Sequence, residues 1–213
     1  MNFDDLIFEK SNVLSKELCD DIINRYDNDK RKQQGITNDG EVHLDIKNCL
    51  DLSISYISDW DDVTDIIRGS TQRGFEEYRK NLYDFIKHLD PIPKIWGLGI
   101  RDRGYNLKRY DPDNYFNWHV DSYVTEDNWT RSVAAIWYLN DDFDEGETEF
   151  VSGRKIKPGV GKLLMFPSIW VYPHRGVAPK NGSKYIITSF IYTKDIIPGD
   201  KKSKKRVKRG FGN

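Results

Sequence analysis

The sequence twice places a histidine and an aspartate two residues apart, and both residue types bind divalent metals. His119 and Asp121 lie in "NYFNWHVDSYV", residues 114 to 124, and "EVHLDIK" repeats the spacing at His43 and Asp45. Side chains at i and i+2 of a strand point to the same face, so either pair can approach one metal ion from one side. Such a short pattern recurs by chance, so the spacing alone does not identify a metal site.

A metal site needs a third ligand, and only four histidines are present in the chain. His174, in "IWVYPHRGVAP", falls on a predicted strand, whereas His88 falls on a predicted helix and is interpreted as structural. Two histidines and one carboxylate form the facial triad of non-haem Fe(II) oxygenases, which leaves coordination positions open for substrate and dioxygen. His119, Asp121 and His174 are therefore candidates for such a triad.

A lysine ten residues after His174 bears on the same chemistry. In "KYIITSFIY" the alternation places Lys184, Ile186, Thr188 and Phe190 on one face. If that face points inward, the ammonium group requires an anionic partner such as a dicarboxylate, because a buried unpaired charge is costly. If the other face points inward, Lys184 is solvated.

The elements that must position these residues change in type along the chain. Leu14, Leu18, Ile22 and Tyr26 recur every four residues after a potential N-cap at Ser15, which predicts a helix from about residue 15. A second helical pattern runs from about 60 to 89, with a potential break at Gly69-Ser70, and ends at "DPIP". Eight short strands are predicted beyond it: 95–100, 104–110, 115–120, 132–139, 148–151, 160–166, 169–177 and 184–193. This pattern favours a sandwich, barrel or jelly roll.

Composition indicates one soluble domain. The 213 residues suit a single core, no apolar run approaches the roughly 20 residues of a membrane span, and the acidic N-terminus lacks a secretory signal, so we expect a cytoplasmic protein. The two cysteines, Cys19 and Cys49, read as reduced thiols. The tail 201–213 carries seven Lys or Arg and no acid, so residues 1–200 have a net charge of −8. We expect this tail to be disordered. It is either a solvated terminus or a contact for nucleic acid or an acidic partner.

Three segments together resemble one enzyme family. "LKRYDPDNYFNWHVD", "RSVAAIWYLNDDFDEGETEF" and "GKLLMFPSIWVYPHRGVAPKNGSKYIITSF" are similar in order and spacing to the prolyl 4-hydroxylase-like branch of the 2-oxoglutarate and Fe(II)-dependent dioxygenases. The resemblance covers roughly residues 105 to 193. It implies an α+β fold with a mainly β core, a double-stranded β-helix or jelly roll, with N-terminal helices packed on the larger sheet. The domain would span 1–200, with a helical part at 1–93 and the jelly roll at 94–200.

The resemblance also implies roles for individual residues. His119, Asp121 and His174 would bind Fe(II), while Lys184 and Tyr110 would hold the distal carboxylate of 2-oxoglutarate, with Thr148 as a further co-substrate contact. Substrate contacts are expected from Arg131, which faces the peptide in relatives, from Phe190 and from Trp137. Trp137 belongs to a set of candidate aromatic walls with Trp118, Tyr123, Trp170 and Tyr172.

The implied reaction couples decarboxylation of 2-oxoglutarate to hydroxylation of a substrate by dioxygen, with release of succinate and CO2 and with ascorbate as a candidate auxiliary. Because Asp121 is a carboxylate, hydroxylation is favoured over halogenation. A peptide or protein is the expected partner and proline the best single candidate, although Phe190 stands where peptidyl-prolyl hydroxylases usually carry tryptophan. The alternatives are a free amino acid, another small metabolite or a nucleobase, or a non-catalytic jelly roll. The polar segment 30–41 reads as a lid or as a plain surface loop.

Overall fold

The computed structural model describes residues 2–37, 40–92 and 99–194. Its helices are α1 (Lys16–Asn28) and α2 (Asp61–Ile86), with short 3-10 turns at Phe3–Leu6, Ile54–Tyr56 and Ser58–Trp60. Its strands are β1 (Phe8–Lys10), β2 (Gln33–Gln34), β3 (Leu50–Ser53), β4 (Gly99–Asp102), β5 (Asn106–Tyr110), β6 (Phe116–His119), β7 (Thr130–Tyr138), β8 (Asp144–Glu145), β9 (Thr148–Phe150), β10 (Lys155–Ile156), β11 (Lys162–Pro167), β12 (His174–Gly176), β13 (Pro179–Lys180) and β14 (Lys184–Lys194). The predicted start of a strand at 95–98 and the basic tail lie outside the described residues.

Helix α1 begins as its sequence predicts. The Ser15 side chain accepts a hydrogen bond from the backbone N–H of Leu18, which satisfies one donor that the first helical turn leaves free. Cys19, Ile22 and Tyr26 are buried along one side of the helix. The predicted amphipathic helix is confirmed.

Helix α2 is continuous, so the predicted break at Gly69-Ser70 is wrong. Ser70 lies on the buried side of the helix and accepts a hydrogen bond from the indole N–H of Trp137 at 3.0 Å. One turn later, a Cβ added to Gly74 would come within 2.4 Å of Leu163 Cδ2. Close helix-to-sheet packing therefore explains a glycine and a serine that the pattern suggested as a break. The helix ends at Ile86, so His88 lies beyond it and not on it.

The larger sheet is antiparallel and has the order β1-β11-β7-β14-β5-β3-β2, with β4 paired to the second half of β14. Strands β1, β2 and β3 come from the N-terminal part, so the prediction that residues 1–93 are helical was incomplete. The short segment Leu50–Ser53 becomes a strand because it pairs with β5, with Asp51 opposite Lys108. Because β5 is distant from β3 in sequence, this pairing leaves no periodic pattern within Leu50–Ser53 from which the strand could be predicted.

Alternation gives the larger sheet two different faces. Leu107, Trp137 and Ile187 belong to the core that α1 and α2 cover. Tyr110, Tyr138 and Ile186 point to the other side and belong to a second core. The helices thus pack on the larger sheet, as expected, and leave its opposite face free to form a cavity.

The smaller sheet has the order β10-β9-β12-β6 and is also antiparallel. It carries two of the candidate metal ligands, His119 at the end of β6 and His174 at the start of β12. Of the predicted strand 169–177, only His174–Gly176 forms a strand, because Ile169 to Pro173 lie outside the ladder. The mainly β class with a few helices is confirmed. None of the described helices is both long and apolar enough to span a membrane.

Candidate metal centre and co-substrate cavity

Three side chains from the smaller sheet converge on one point. His119 and His174 are direct partners in the β6–β12 ladder, and Asp121 follows β6 by two residues. An Asp121 carboxylate oxygen lies 3.7 Å from His119 Nε2, and the other lies 3.5 Å from His174 Nε2. The three donor atoms all lie within 4.8 Å of one another, a spacing that one metal ion can bridge.

The protonation of both histidines suits metal binding. Nδ1 of His119 lies 2.8 Å from the Asn117 carbonyl and Nδ1 of His174 lies 3.1 Å from the Tyr172 carbonyl. Because a carbonyl only accepts, both Nδ1 atoms carry the proton, and both Nε2 lone pairs face Asp121. Burial, together with the His174 ring, lowers the pKa of His119 to about 4, so this imidazole is neutral at pH 7.

Aromatic rings hold the imidazoles in place. The Phe116 ring stacks on His119 with centroids 3.5 Å apart, and the Phe166 ring meets His174 edge-on at 4.7 Å. Two imidazoles and one carboxylate in a fixed arrangement therefore fit Fe(II), with one side left open.

The second His-x-Asp pair is arranged differently. His43 begins a turn in which its carbonyl accepts from the N–H groups of Ile46 and Lys47, and the Asp45 side chain is exposed. Within the described residues, the group that could hold a metal ion consists of His119, Asp121 and His174. The two pairs have the same His-x-Asp spacing, but only His119 lies in a strand, β6, and that strand brings it opposite His174.

The three candidate metal ligands line a cavity of about 860 Å³ between the two sheets. Lys184 and Tyr110 reach the same cavity as direct partners across β14 and β5. The Lys184 ammonium lies 4.9 Å from the Tyr110 ring and donates to the carbonyls of Gly146 at 2.9 Å and Val177 at 3.1 Å. The inward orientation, one of two that the sequence left open, is the one observed.

Lys184 is a buried cation without a counter-ion in the described part of the chain. It is 3% exposed, and burial lowers its pKa from 10.5 to about 7. No carboxylate of the described residues lies within ion-pair distance of it. Burial also raises the pKa of Tyr110 well above its usual value, so this hydroxyl remains protonated and can donate. A cation and a neutral donor side by side fit one carboxylate of a dicarboxylic acid.

The remaining predicted contacts lie around this centre. Thr148 lines the cavity, and its hydroxyl pairs with that of Tyr138 at 2.6 Å. Arg131 and Phe190 also line the cavity. The Arg131 guanidinium lies 4.0 Å above the Phe190 ring, and its Nε donates to the Tyr192 hydroxyl at 2.7 Å.

Trp137 does not meet its predicted role as a substrate contact. It is fully buried on the helix-facing side of β7 and donates to Ser70 of α2. Its neighbours Ile136 and Tyr138 face the cavity instead, because adjacent strand residues point in opposite directions. Of the other expected aromatic walls, Tyr123 lines the cavity, whereas Trp118, Trp170 and Tyr172 are not among its lining residues.

Sequence reasoning missed four charged residues of the cavity wall, which are Arg103 and a cluster of three. Lys47, Asp51 and Lys108 line it together, and Asp51 receives hydrogen bonds from both lysines. Lys108 could have been found, because it lies two residues before Tyr110 and therefore on the same face of β5. Ile36, Thr37 and Gly40, from the segment 30–41, also line this cavity.

Comparison with known proteins agrees with this arrangement. Residues 105–192 match the model of the family described as the 2OG-Fe(II) oxygenase superfamily. No curated protein matches the chain.

Several solved structures share the fold at low sequence identity. A collagen prolyl hydroxylase of Paramecium Bursaria Chlorella virus-1, in its 2OG complex, is 20% identical with a TM-score of 0.60, over 88% of this chain and 96% of that one. A Trichoplax adhaerens prolyl hydroxylase, bound to a peptide of the hypoxia inducible factor oxygen degradation domain, is 15% identical with a TM-score of 0.69, over 89% and 84%. A Pseudomonas putida prolyl-4-hydroxylase is 19% identical with a TM-score of 0.63, over 88% and 95%.

Proposed function

We propose that the chain is a 2-oxoglutarate- and Fe(II)-dependent dioxygenase, as the family match over residues 105–192 supports, and that it hydroxylates a peptidyl residue, with proline as the best single candidate. The observation that carries this proposal is the meeting of two donor sets in one cavity. His119, Asp121 and His174 form the metal-binding set, and Lys184 with Tyr110 forms the carboxylate-binding set. We also infer that the two sheets form a double-stranded β-helix, as the structural relatives suggest.

The residues of this chain would divide the work as follows. His119, Asp121 and His174 would hold Fe(II) and leave positions open beside it. Lys184 and Tyr110 would hold one end of 2-oxoglutarate, and Thr148 would contact it nearby. The bound metal supplies the activation of dioxygen, with 2-oxoglutarate as the reductant that leaves as succinate and CO2.

Peptide as the substrate class is supported by the cavity lining and by the relatives. Arg131, Tyr123 and Phe190 line the cavity, with the guanidinium 4.9 and 4.0 Å above the two rings, where they can contact a peptide. The Trichoplax relative is described in complex with a peptide, and the others are named prolyl hydroxylases. Ile36 and Thr37, from the loop 30–41, would then lie against the bound substrate.

A second candidate substrate is a small carboxylate-bearing metabolite. Five cationic side chains but only two carboxylates line the cavity among the described residues: Lys47, Arg103, Lys108, Arg131 and Lys184, against Asp51 and Asp121. The cavity thus has a surplus of positive charge although residues 1–200 are acidic overall, and this surplus favours an anionic substrate.

The decisive experiment incubates purified protein with Fe(II), ascorbate, 2-oxoglutarate and a panel of peptides and metabolites. We expect succinate together with a substrate that gains one oxygen by mass. Asp121→Ala should abolish both, whereas Asp45→Ala, which removes the exposed carboxylate of the other His-x-Asp pair, should leave both unchanged. Unchanged turnover in Asp121→Ala would contradict the assignment of the metal centre.

A further inference from the structure

We propose that Lys47 and Lys108 form a cationic subsite that binds a carboxylate of the primary substrate beside the metal centre. The inference rests on the proposed function, because it names the substrate chemistry for the same cavity. It concerns Lys47 and Lys108 and not Lys184, which would hold the co-substrate. The carboxylate belongs to an acidic side chain of a peptide or to a free amino acid.

The first argument is the balance of charge in the cluster. The Nζ atoms of Lys47 and Lys108 both donate to the same Asp51 oxygen, at 2.7 and 2.8 Å. The other Asp51 oxygen accepts from the Cys49 thiol at 3.1 Å. Within the described ranges, no second carboxylate lies within ion-pair distance of either ammonium group. Two cations therefore share one anion, and one positive charge lacks a counter-charge.

The second argument is burial. The side chains of Lys47 and Lys108 are 5% and 12% exposed, so water compensates this surplus charge poorly. Burial and the neighbouring Lys108 lower the pKa of Lys47, as expected for a buried ammonium group beside a second cation. A purely structural ion pair needs one lysine, and a second buried lysine only adds desolvation cost. The surplus is one unit of charge, so a carboxylate matches it better than a dianionic phosphate group.

The third argument is position. The backbone of Lys47 is bridged to that of Phe116, at the start of the metal-binding strand β6. The Lys47 ammonium lies 5.7 Å from the Phe116 ring centroid, and that ring stacks on His119. Lys47 and the candidate metal ligand His119 thus lie beside the same aromatic ring, and both line the cavity. A substrate anchored there would present a neighbouring carbon to the centre.

A binding experiment tests the subsite without knowledge of the natural substrate. The full-length protein, loaded with Fe(II) and 2-oxoglutarate under nitrogen, is offered two pools of capped pentapeptides that differ only in glutamate or glutamine at one position. A parallel arm offers free amino acids against their amides, which separates the two sources of the carboxylate. Retained species are read by mass spectrometry.

We expect acids to be retained about tenfold or more over amides in at least one arm, since hydrogen bonds between charged groups are stronger than those to a neutral amide. Lys47→Met should bring the ratio close to one, because Asp51 then remains paired with Lys108 and the cluster becomes neutral. Lys108→Met is the matched second variant, which keeps the Lys47–Asp51 pair. Asp51→Asn should raise the ratio, and Lys180→Met, at an exposed lysine paired with Asp113, should not change it.

Several results would overturn the subsite. They are equal retention of acids and amides, retention of neither, a wild-type ratio in both Lys47→Met and Lys108→Met, or loss of 2-oxoglutarate binding in these variants. The last would assign the lysines to the co-substrate. Admission of dioxygen then separates the two proposals: if retained acids gain no oxygen, hydroxylation of them fails while the subsite stands.

Discussion

Replacing Lys184 by methionine should weaken 2-oxoglutarate binding and remove its dependence on pH. Methionine keeps much of the apolar stem but lacks the ammonium group, which is the buried cation that faces Tyr110 across the β14–β5 ladder. Loss of a charge-assisted hydrogen bond to a carboxylate costs about 1.5–3 kcal/mol, or roughly 10- to 150-fold in Kd. This estimate applies below pH 7, where the lysine is charged before the ligand arrives.

The pH dependence follows from the lowered pKa. Burial lowers the pKa of Lys184 from 10.5 to about 7, so above pH 7 the empty cavity holds a neutral amine that must take up a proton to bind a carboxylate. If the bound carboxylate returns the pKa of Lys184 to its ordinary value of 10.5, the wild-type Kd should rise about tenfold between pH 6 and pH 8, and binding at pH 8 should take up nearly one proton. The Lys184→Met variant should show neither effect.

Stability should respond with the same sign. The pKa of Lys184 is lower in the folded protein than in the unfolded chain, so between pH 7 and 10.5 the unfolded chain binds more protons and the free energy of unfolding rises with pH. Below pH 7 the cost of burying the charge, about 5 kcal/mol from this shift, is fully present. In Lys184→Met this contribution to the pH dependence should disappear.

Anaerobic titration of the Fe(II)-loaded protein with 2-oxoglutarate measures the Kd through the visible charge-transfer band of the complex, and calorimetry in two buffers of different ionisation enthalpy measures the proton uptake. Lys180→Met is the matched control, because it removes an exposed lysine outside the cavity. A Kd in Lys184→Met equal to that of the wild type, or a wild-type Kd that does not change between pH 6 and 8, would refute the assignment of Lys184.

Three further predictions concern substrate contact and packing. Arg131→Met should lower peptide-dependent succinate formation in a steady-state assay about tenfold, because a charged contact to the substrate is lost. The Kd of 2-oxoglutarate should not change. If succinate formation and 2-oxoglutarate binding weaken in parallel, Arg131 is a structural residue and not a substrate contact. Gly74→Ala should lower the free energy of unfolding by about 1–3 kcal/mol in urea titrations because its Cβ would collide with Leu163, whereas Gly69→Ala should raise it by up to about 1 kcal/mol. Equal effects at the two glycines would contradict the packing described for α2. Thr148→Val should cost about 1–3 kcal/mol in the same titrations by leaving a buried hydroxyl partner unpaired, and an unchanged midpoint would argue that water replaces the contact.

Helix α1 and most of the β-core strands could be predicted from local pattern. Ser15 and the four-residue repeat behind it are enough to define α1, because capping and amphipathicity act within a few residues. The long strand β14 agrees with its predicted range to within one residue, because its alternation is regular over eleven residues. The short β1, β2 and β3 were missed because their partners lie 16 to 157 residues away and their own two to four residues show no period.

The candidate site divides in the same way. His119, Asp121, His174, Lys184 and Tyr110 could be named from their spacing and family resemblance, and they now lie around one cavity. Trp137 was assigned to the wrong face, since periodicity gives two faces without saying which points inward. Lys47 and Asp51 were overlooked because they precede the β-core in a segment without recognisable pattern.

The sequence by itself determined the chemistry that is available: which residue types could bind a metal, which lysine could bind a carboxylate, and which segments would become helices or strands. The family resemblance already favoured one of the two His-x-Asp pairs, whereas the tertiary structure decided which faces of β7 and β14 point into the cavity and which other residues complete its wall. The physical reason is that coordination and ion pairing depend on distances of a few ångströms between residues that are tens to more than a hundred positions apart. Those distances are set by the pairing of strands, by the packing of α2 on the larger sheet and by the burial that follows from both.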